Sequence, residues 1–328
     1  MVSLLCYLKG ENMSDLNVIF NEINKVIIGK SEVVEQIFMA ILTGGHILLD
    51  DVPGVGKTTM AVAISNVLGL NYRRIQFTPD VLPSDITGFS IYNKQTGAFE
   101  YMPGVIIDAN MLLGDEINRT SSKTQSALLE AMEEGQVTVD GVSHQLKKPF
   151  IVIATQNNVG TAGTQPLPYA QLDRFLIRLT IGYPNFEDQM AIMRDRQTAN
   201  PLDSVRNVIN IDDLTQMQQD VINITVKDSI LEYITRLTIA TREHSMIELG
   251  VSPRGAISIN KMSKAHAYIN GRDYVIPDDV YAVFHNVCVH RIILNQKAKL
   301  EKVTVSQILD SILRDVKIPD SLKIKGNK

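Results

Sequence analysis

The rhythm of apolar positions changes near residue 185. Before it, short apolar runs alternate with longer stretches of helical spacing. The runs are His46–Asp50 (HILLD), Arg73–Phe77 (RRIQF), Met111–Asp115 (MLLGD), Phe150–Thr155 (FIVIAT) and Phe175–Ile181 (FLIRLTI). Several are nearly continuous, as in strands covered on both faces, and the alternation with helices predicts a five-stranded parallel α/β sheet. Beyond residue 185 the strand signals stop. Ile211, Leu214, Val221 and Ile222 share one helical face, as do Ile230, Ile234 and Leu237, and Ile259, Met262 and Ile269. Pro277 followed by Asp278 and Asp279 marks a further helix start.

Two interruptions stand out in the first part. Val81–Gly104 is rich in turn residues and reads as an insertion with a small hairpin around Thr96-Gly97. Gln136–Leu146 alternates around Asp140-Gly141, a pair that suits a type I′ hairpin turn. The expected organisation is an N-terminal extension (1–16), an α/β domain (17–185), a linker (186–200) and an all-α domain with a basic tail (201–328). Met13 is an alternative start to Met1, and no repeats or low-complexity segments are found.

Composition narrows the classes. Over 328 residues the chain is 45% hydrophobic and 21% charged, with net charge −4. That is ordinary for a globular protein and leaves no electrostatic footprint for sequence-independent nucleic-acid binding. Cys6 and Cys288 are the only cysteines. They make no disulfide scaffold and fit a reducing cytoplasm. No apolar run approaches ~18 residues, so no membrane span is expected. The six histidines form no metal-ligand pattern with cysteine.

The chemistry concentrates around Asp50–Thr59, DDVPGVGKTT. The strict phosphate-loop pattern is G-x-x-x-x-G-K-[ST], and Asp51 stands where its first glycine belongs. The context nevertheless fits: a buried strand precedes the loop and a helix follows it. The cradle would run over Pro53, Gly54, Val55, Gly56, Lys57, Thr58 and Thr59. Its backbone N–H groups would face an anion at the helix N-terminus. Lys57 would reach the β- and γ-phosphates, and the Thr58 hydroxyl would bind Mg²⁺. MLLGDE places Asp115 and Glu116 at the carboxyl end of a buried strand, the edge where open α/β sheets bind ligands. Asp115 could hold Mg²⁺, and Glu116 is the candidate base for an attacking water. Asn157, ending FIVIATQNN, could orient that water or touch the γ-phosphate. Arg174 and Arg254 could supply fixed positive charge. One chain cannot easily bring both to its own nucleotide, which hints at a site shared between subunits.

These residues, in this order, resemble the MoxR family of AAA+ ATPases. The stretches that carry the resemblance are LLDDVPGVGKTT, FTPDVLPSDITG, GDEINRTSSKTQSALLEAMEEGQVTVDG, ATQNNVGTAGTQPLPYAQLDRF, SPRGAISI and GRDYVIPDDV. The match runs from about Asn17 to the last helix. Family members often carry an acidic residue at the Asp51 position. The resemblance implies an AAA+ P-loop domain followed by a small all-α lid. It makes Lys57 and Thr58 the Walker A pair, Asp115 and Glu116 the Walker B pair, Asn157 sensor 1 and Arg254 sensor 2. Arg174 would be an arginine finger for the neighbouring subunit, and Ile28 and Gly29 would enclose adenine. The two hairpins would be the helix-2 insert and the pre-sensor-1 hairpin. Asn158 departs from the family's TQNP, and the role of Arg119 stays open between ring contact and phosphate chemistry. ATP and Mg²⁺ are implied, with a ring, usually hexameric, that matures protein complexes or assists metal cofactor insertion. A von Willebrand A-domain protein and a protein client are the implied partners. Two other classes compete. A nucleotide-gated assembly module would hydrolyse slowly. A DNA motor is opposed by the acidic balance, the absence of Trp and 6% aromatic residues.

Overall fold

The computed structural model describes residues 16–157, 165–197 and 199–319. Most of the N-terminal extension, Met13, Cys6, Asn158 and the end of the tail lie outside these. The strands are β1 (Ile47–Asp50), β2 (Tyr72–Gln76), β3 (Gly88–Asn93), β4 (Ala98–Pro103), β5 (Met111–Asp115), β6 (Gln136–Val139), β7 (Val142–Gln145), β8 (Ile151–Gln156), β9 (Ile177–Leu179), β10 (Ile247–Leu249) and β11 (Ile293–Leu294). Five form a parallel sheet in the order β2-β5-β8-β1-β9. These are the five strands expected from the apolar runs. The other pairs are antiparallel hairpins β3–β4 and β6–β7 and a short ribbon β10–β11. At the β6–β7 turn Asp140 (φ 50°) and Gly141 (φ 79°) both take left-handed backbone, as a type I′ turn requires.

Helices α1 (residues 16–24), α2 (Ser31–Leu42), α3 (Lys57–Val67), α4 (Pro83–Thr87), α5 (Ser122–Glu134) and α6 (Tyr169–Leu172) accompany the sheet. Then follow α7 (Phe186–Asp195), α8 (Ile211–Ile222), α9 (Asp228–Glu243), α10 (Pro253–Ile269), α11 (Pro277–Cys288), α12 (Gln296–Leu300) and α13 (Val305–Asp315). Successive strand residues point to opposite faces. Leu49, Met111, Leu113 and Ile153 therefore enter one apolar cluster, and Leu48, Leu112, Val152 and Ala154 enter another. The first cluster continues through Leu214, Ile234, Ile259 and Val283, so the core of the sheet runs unbroken into the lid helices.

Three details differ from expectation. The stretch 186–200 is not a plain linker, because α7 occupies most of it. Asn185 caps α7 by accepting from Asp188 N at 2.8 Å, and Glu187 and Asp188 sit in its first turn. Ile222, expected on one face with Leu214 and Val221, is 59% exposed; Met217 joins those two in the buried face of α8. The lid also carries the β10–β11 ribbon, too short to show a period in sequence.

His46 directly precedes β1 and is buried at the sheet. Its Nδ1 accepts from Val152 N at 3.0 Å, which leaves the proton on Nε2 to donate to Met132 O at 3.0 Å. Burial pulls its pKa down to about 4. His290, beyond the end of α11, is also buried and is drawn well below 6.5, first by burial and then by Arg291. Both are neutral in the fold, so below pH 6.5 the unfolded chain takes up protons first. Stability present above 6.5 is lost as pH falls below it, by about 2 kcal/mol at pH 5 for His46, and His290 acts in the same direction. Urea unfolding followed by circular dichroism at pH 7.5, 6 and 5 should show this. His46→Asn, which keeps an acceptor for Val152, should make the slope shallower; an unchanged slope would refute the assignment.

Candidate functional site

The loop between β1 and α3 is shaped by backbone angles. Gly54 (φ 85°) and Gly56 (φ 93°) are left-handed, and a Cβ at either would meet nothing within 4 Å. Glycine is needed there for conformation, and the space over the loop is open. Gly56 caps α3 without a side-chain bond, so the first N–H groups of the helix have no intrahelical acceptor. Such an end is suited to an anion. Lys57 is buried (8% exposed) and donates to Asp51 O at 3.0 Å. Burial draws its pKa down, while Asp115, Asp51 and Glu116 push it back up.

Asp51 shows why its position need not be glycine. Its Oδ1 accepts from Val52 N at 2.8 Å. Its Oδ2 accepts from Ile181 N at 2.6 Å and Gly182 N at 2.7 Å. The carboxylate thus ties the start of the loop to the chain leaving β9.

Asp115 and Glu116 sit at the carboxyl end of β5, beside the central strand β8. Thr155 of β8, fully buried, fixes both. Its hydroxyl donates to Asp115 Oδ1 at 2.7 Å and accepts from Glu116 N at 2.9 Å. Glu116 is left-handed (φ 57°, ψ 49°), a conformation that costs a non-glycine residue about 1–3 kcal/mol and persists where surrounding contacts impose it. Arginines meet both acids. Arg74 donates to Asp115 Oδ2 at 2.7 Å, and Arg119 donates to Glu116 Oε2 at 2.8 Å. Gln76 Nε2 also donates to Glu116 Oε2, at 3.2 Å. Arg74 and Gln76 were not singled out in the sequence; their only signal was polarity at the end of β2. Arg119, whose role was left open, lies here.

A cavity of about 570 Å³ gathers the loop and the two acids. Pro53, Gly54, Val55, Gly56, Lys57, Thr58, Thr59, Asp115, Glu116 and Ile28 all line it. Gly29 does not. It turns the chain (φ 70°), with the Asp188 carboxylate where a Cβ would stand. The far wall comes from Ile181–Pro184 and from Gln189, Ile192, Asp195 and Arg196 of α7 and its end. None of these was expected. Asn157 directly follows β8 but is not part of the lining; its carbonyl accepts from Asn118 Nδ2 at 3.2 Å. Among the described residues no cluster of three His, Cys, Asp or Glu could hold a metal. A Mg²⁺ ion needs only one or two protein ligands beside phosphates and water, and Thr58 and Asp115 share this cavity.

Arg174 and Arg254 lie apart from the cavity and together. Arg174 NH1 is 3.0 Å from Glu133 Oε2 and donates to Leu129 O at 2.8 Å. Arg254 pairs with the other oxygen of the same Glu133. Arg174 also borders a groove of about 390 Å³ with Gln136 and Thr138. The structure brings Lys57, Thr58, Asp115 and Glu116 to one place and the two arginines to another.

Comparison with known proteins fits this layout. A family model described as an ATPase family associated with various cellular activities matches residues 46–177, and an AAA lid domain model matches 239–312. YeaC of Bacillus subtilis, itself uncharacterised, is 49% identical over 90% of this chain and 92% of its own. The chaperone MoxR1 of Mycobacterium tuberculosis is 36% identical over 91% of this chain and 81% of its own. A crystal structure from Cytophaga hutchinsonii, named only provisionally as an ATPase, superposes with a TM-score of 0.87 at 38% identity, covering 94% of this chain and 96% of that one. With its five-stranded parallel sheet, its loop-to-helix turn at Lys57 and its helical lid, this chain belongs to the MoxR family of AAA+ ATPases.

Proposed function

We propose that this chain binds Mg²⁺-ATP in the cavity at Lys57 and hydrolyses it in a ring, with Arg174 and Arg254 serving the nucleotide of a neighbouring chain. One observation carries this reading: the two arginines clasp Glu133 while the loop and acids line a different surface. A lone chain then holds these two arginines away from its own phosphates, where phosphoryl transfer rewards fixed positive charge. In the cavity the open end of α3 and Lys57 hold the phosphates. Thr58 and Asp115 would hold Mg²⁺, which would supply neutralisation of the phosphate charge. Glu116 accepts the proton of the attacking water, and Asn157 stands at the end of the adjacent strand to orient it. Ile28 and the α7 side chains enclose the base. The ring, probed first as a hexamer, remodels protein complexes in the cytoplasm. Its partners are a von Willebrand A-domain protein and a protein client, and metal cofactor insertion is one such task. No helix among the described residues is long and apolar enough to cross a membrane.

A second reading is favoured by a specific observation. Arg74 and Arg119 occupy Asp115 and Glu116 in this conformation. A chain that keeps its acids paired this way would hydrolyse slowly and act as a nucleotide-gated assembly module. Turnover per chain against protein concentration separates the readings. Turnover rising with concentration supports the shared site. Turnover that is flat and near basal favours the gated module. Turnover that is flat and high would mean each chain completes its own site.

A further inference from the structure

Among the described residues, Arg291 is a buried charge whose hydrogen bonds the nucleotide chemistry does not use. Its side chain is 2% exposed and sits just past α11, in the lid. The guanidinium brackets Arg174 along the main chain. On one side Nε donates to Asp173 Oδ1 at 2.6 Å and NH2 to Asp173 O at 3.3 Å. On the other side NH2 donates to Phe175 O at 2.6 Å and NH1 to Leu176 O at 3.1 Å.

The same group reaches Arg254 by two short routes. NH2 donates to Ser258 Oγ at 3.4 Å, and that hydroxyl donates to Arg254 O at 3.0 Å. Asp173 Oδ2 accepts from Ser252 Oγ at 2.9 Å, and Ser252 caps α10, whose second residue is Arg254. Gly255 leaves room for this: a Cβ there would lie 3.0 Å from Arg291 Cδ. His290 adds a bond from Nε2 to Phe175 O at 3.1 Å.

We infer that Arg291, through Asp173, is the positioning residue that presents Arg174 and Arg254 as one unit to the phosphates of a neighbouring chain. The inference rests on the shared-site reading above. Arginine suits the task because its planar fork can serve several acceptors at fixed angles, whereas a lysine ammonium keeps the charge and loses the fork. A misplacement on the order of 1 Å at a reacting centre can cost about 10²-fold in rate. A merely structural role would instead disturb nucleotide binding as well.

The test mixes variants. Arg291→Lys should bind a fluorescent ATP analogue with its affinity changed by less than about twofold, while turnover per chain falls about 10²-fold. Mixed in equal amounts with Lys57→Ala, which has a defective cavity and an intact arginine pair, it should regain part of the turnover, because contacts in which Arg291→Lys supplies the cavity and Lys57→Ala the arginines join an intact cavity to an intact pair. Arg174→Ala mixed with Lys57→Ala is the reference. Recovery in the reference but not with Arg291→Lys overturns the positioning role, as does full turnover of Arg291→Lys alone. No recovery in the reference overturns the shared site, and this inference falls with it. Asp173→Asn keeps the side chain's size and removes the charge, so it carries the same comparison if Arg291→Lys does not fold.

Discussion

Replacing Arg174 by alanine is expected to lower ATP turnover per chain by about 10³–10⁵, the range that one arginine supplied to a phosphoryl transfer provides. It should also abolish any rise of turnover with protein concentration. Nucleotide affinity should stay unchanged, because Arg174 does not line the cavity at Lys57. The fold should survive. Arg174 is partly exposed, and Glu133 keeps Arg254 as its partner when Arg174 is gone. The separation of effects is what makes the variant informative. A general loss of structure would weaken binding and turnover together. An arginine acting across a subunit contact weakens turnover alone. Normal turnover in Arg174→Ala at high protein concentration would refute the assignment.

Glu116→Gln should reduce turnover by about 10²–10⁴ while leaving ATP bound, since the amide keeps the shape but cannot take the proton from water. The substitution is nearly isosteric, so the left-handed backbone at residue 116 is no more strained than before, and Thr155 still receives its N–H. The ion pair with Arg119 becomes at most a hydrogen bond from the charged guanidinium to the neutral amide oxygen. Single-turnover measurement with radiolabelled ATP reads the chemistry apart from product release. A rate within a few-fold of the parent chain would mean that Glu116 is not the base.

The parts of the fold legible in sequence were those with local, repetitive signals. The five strands were readable because buried parallel strands are short continuous apolar runs, and Leu48, Leu112 and Val152 are buried on one face as Leu49, Leu113 and Ile153 are on the other. The loop and the two acids could be placed because each follows directly on such a strand. What escaped was set by tertiary placement. α7 carries Phe186, Met190 and Met193 at helical spacing but buries none of its residues, and nothing in that short stripe told that the helix walls the cavity. The meeting of Arg174 and Arg254 on Glu133 joins three distant segments of the chain. No spacing rule could have found it. Arg291 was invisible for the same reason, and its burial contradicts the usual placement of arginine.

The bonds of Asp51 bear on how this chain can drift over generations. An aspartate codon becomes a glycine codon by one base change, so the strict phosphate-loop pattern lies a single step away. That step would leave the N–H groups of Ile181 and Gly182 without their carboxylate. Each buried donor without an acceptor costs about 1–3 kcal/mol. The nearest mutation toward the consensus is therefore one that selection for a stable chain opposes. The acidic residue is held in place by the main chain it fastens, whatever the nucleotide requires. A pattern search that insists on glycine here will keep passing over chains built in this way.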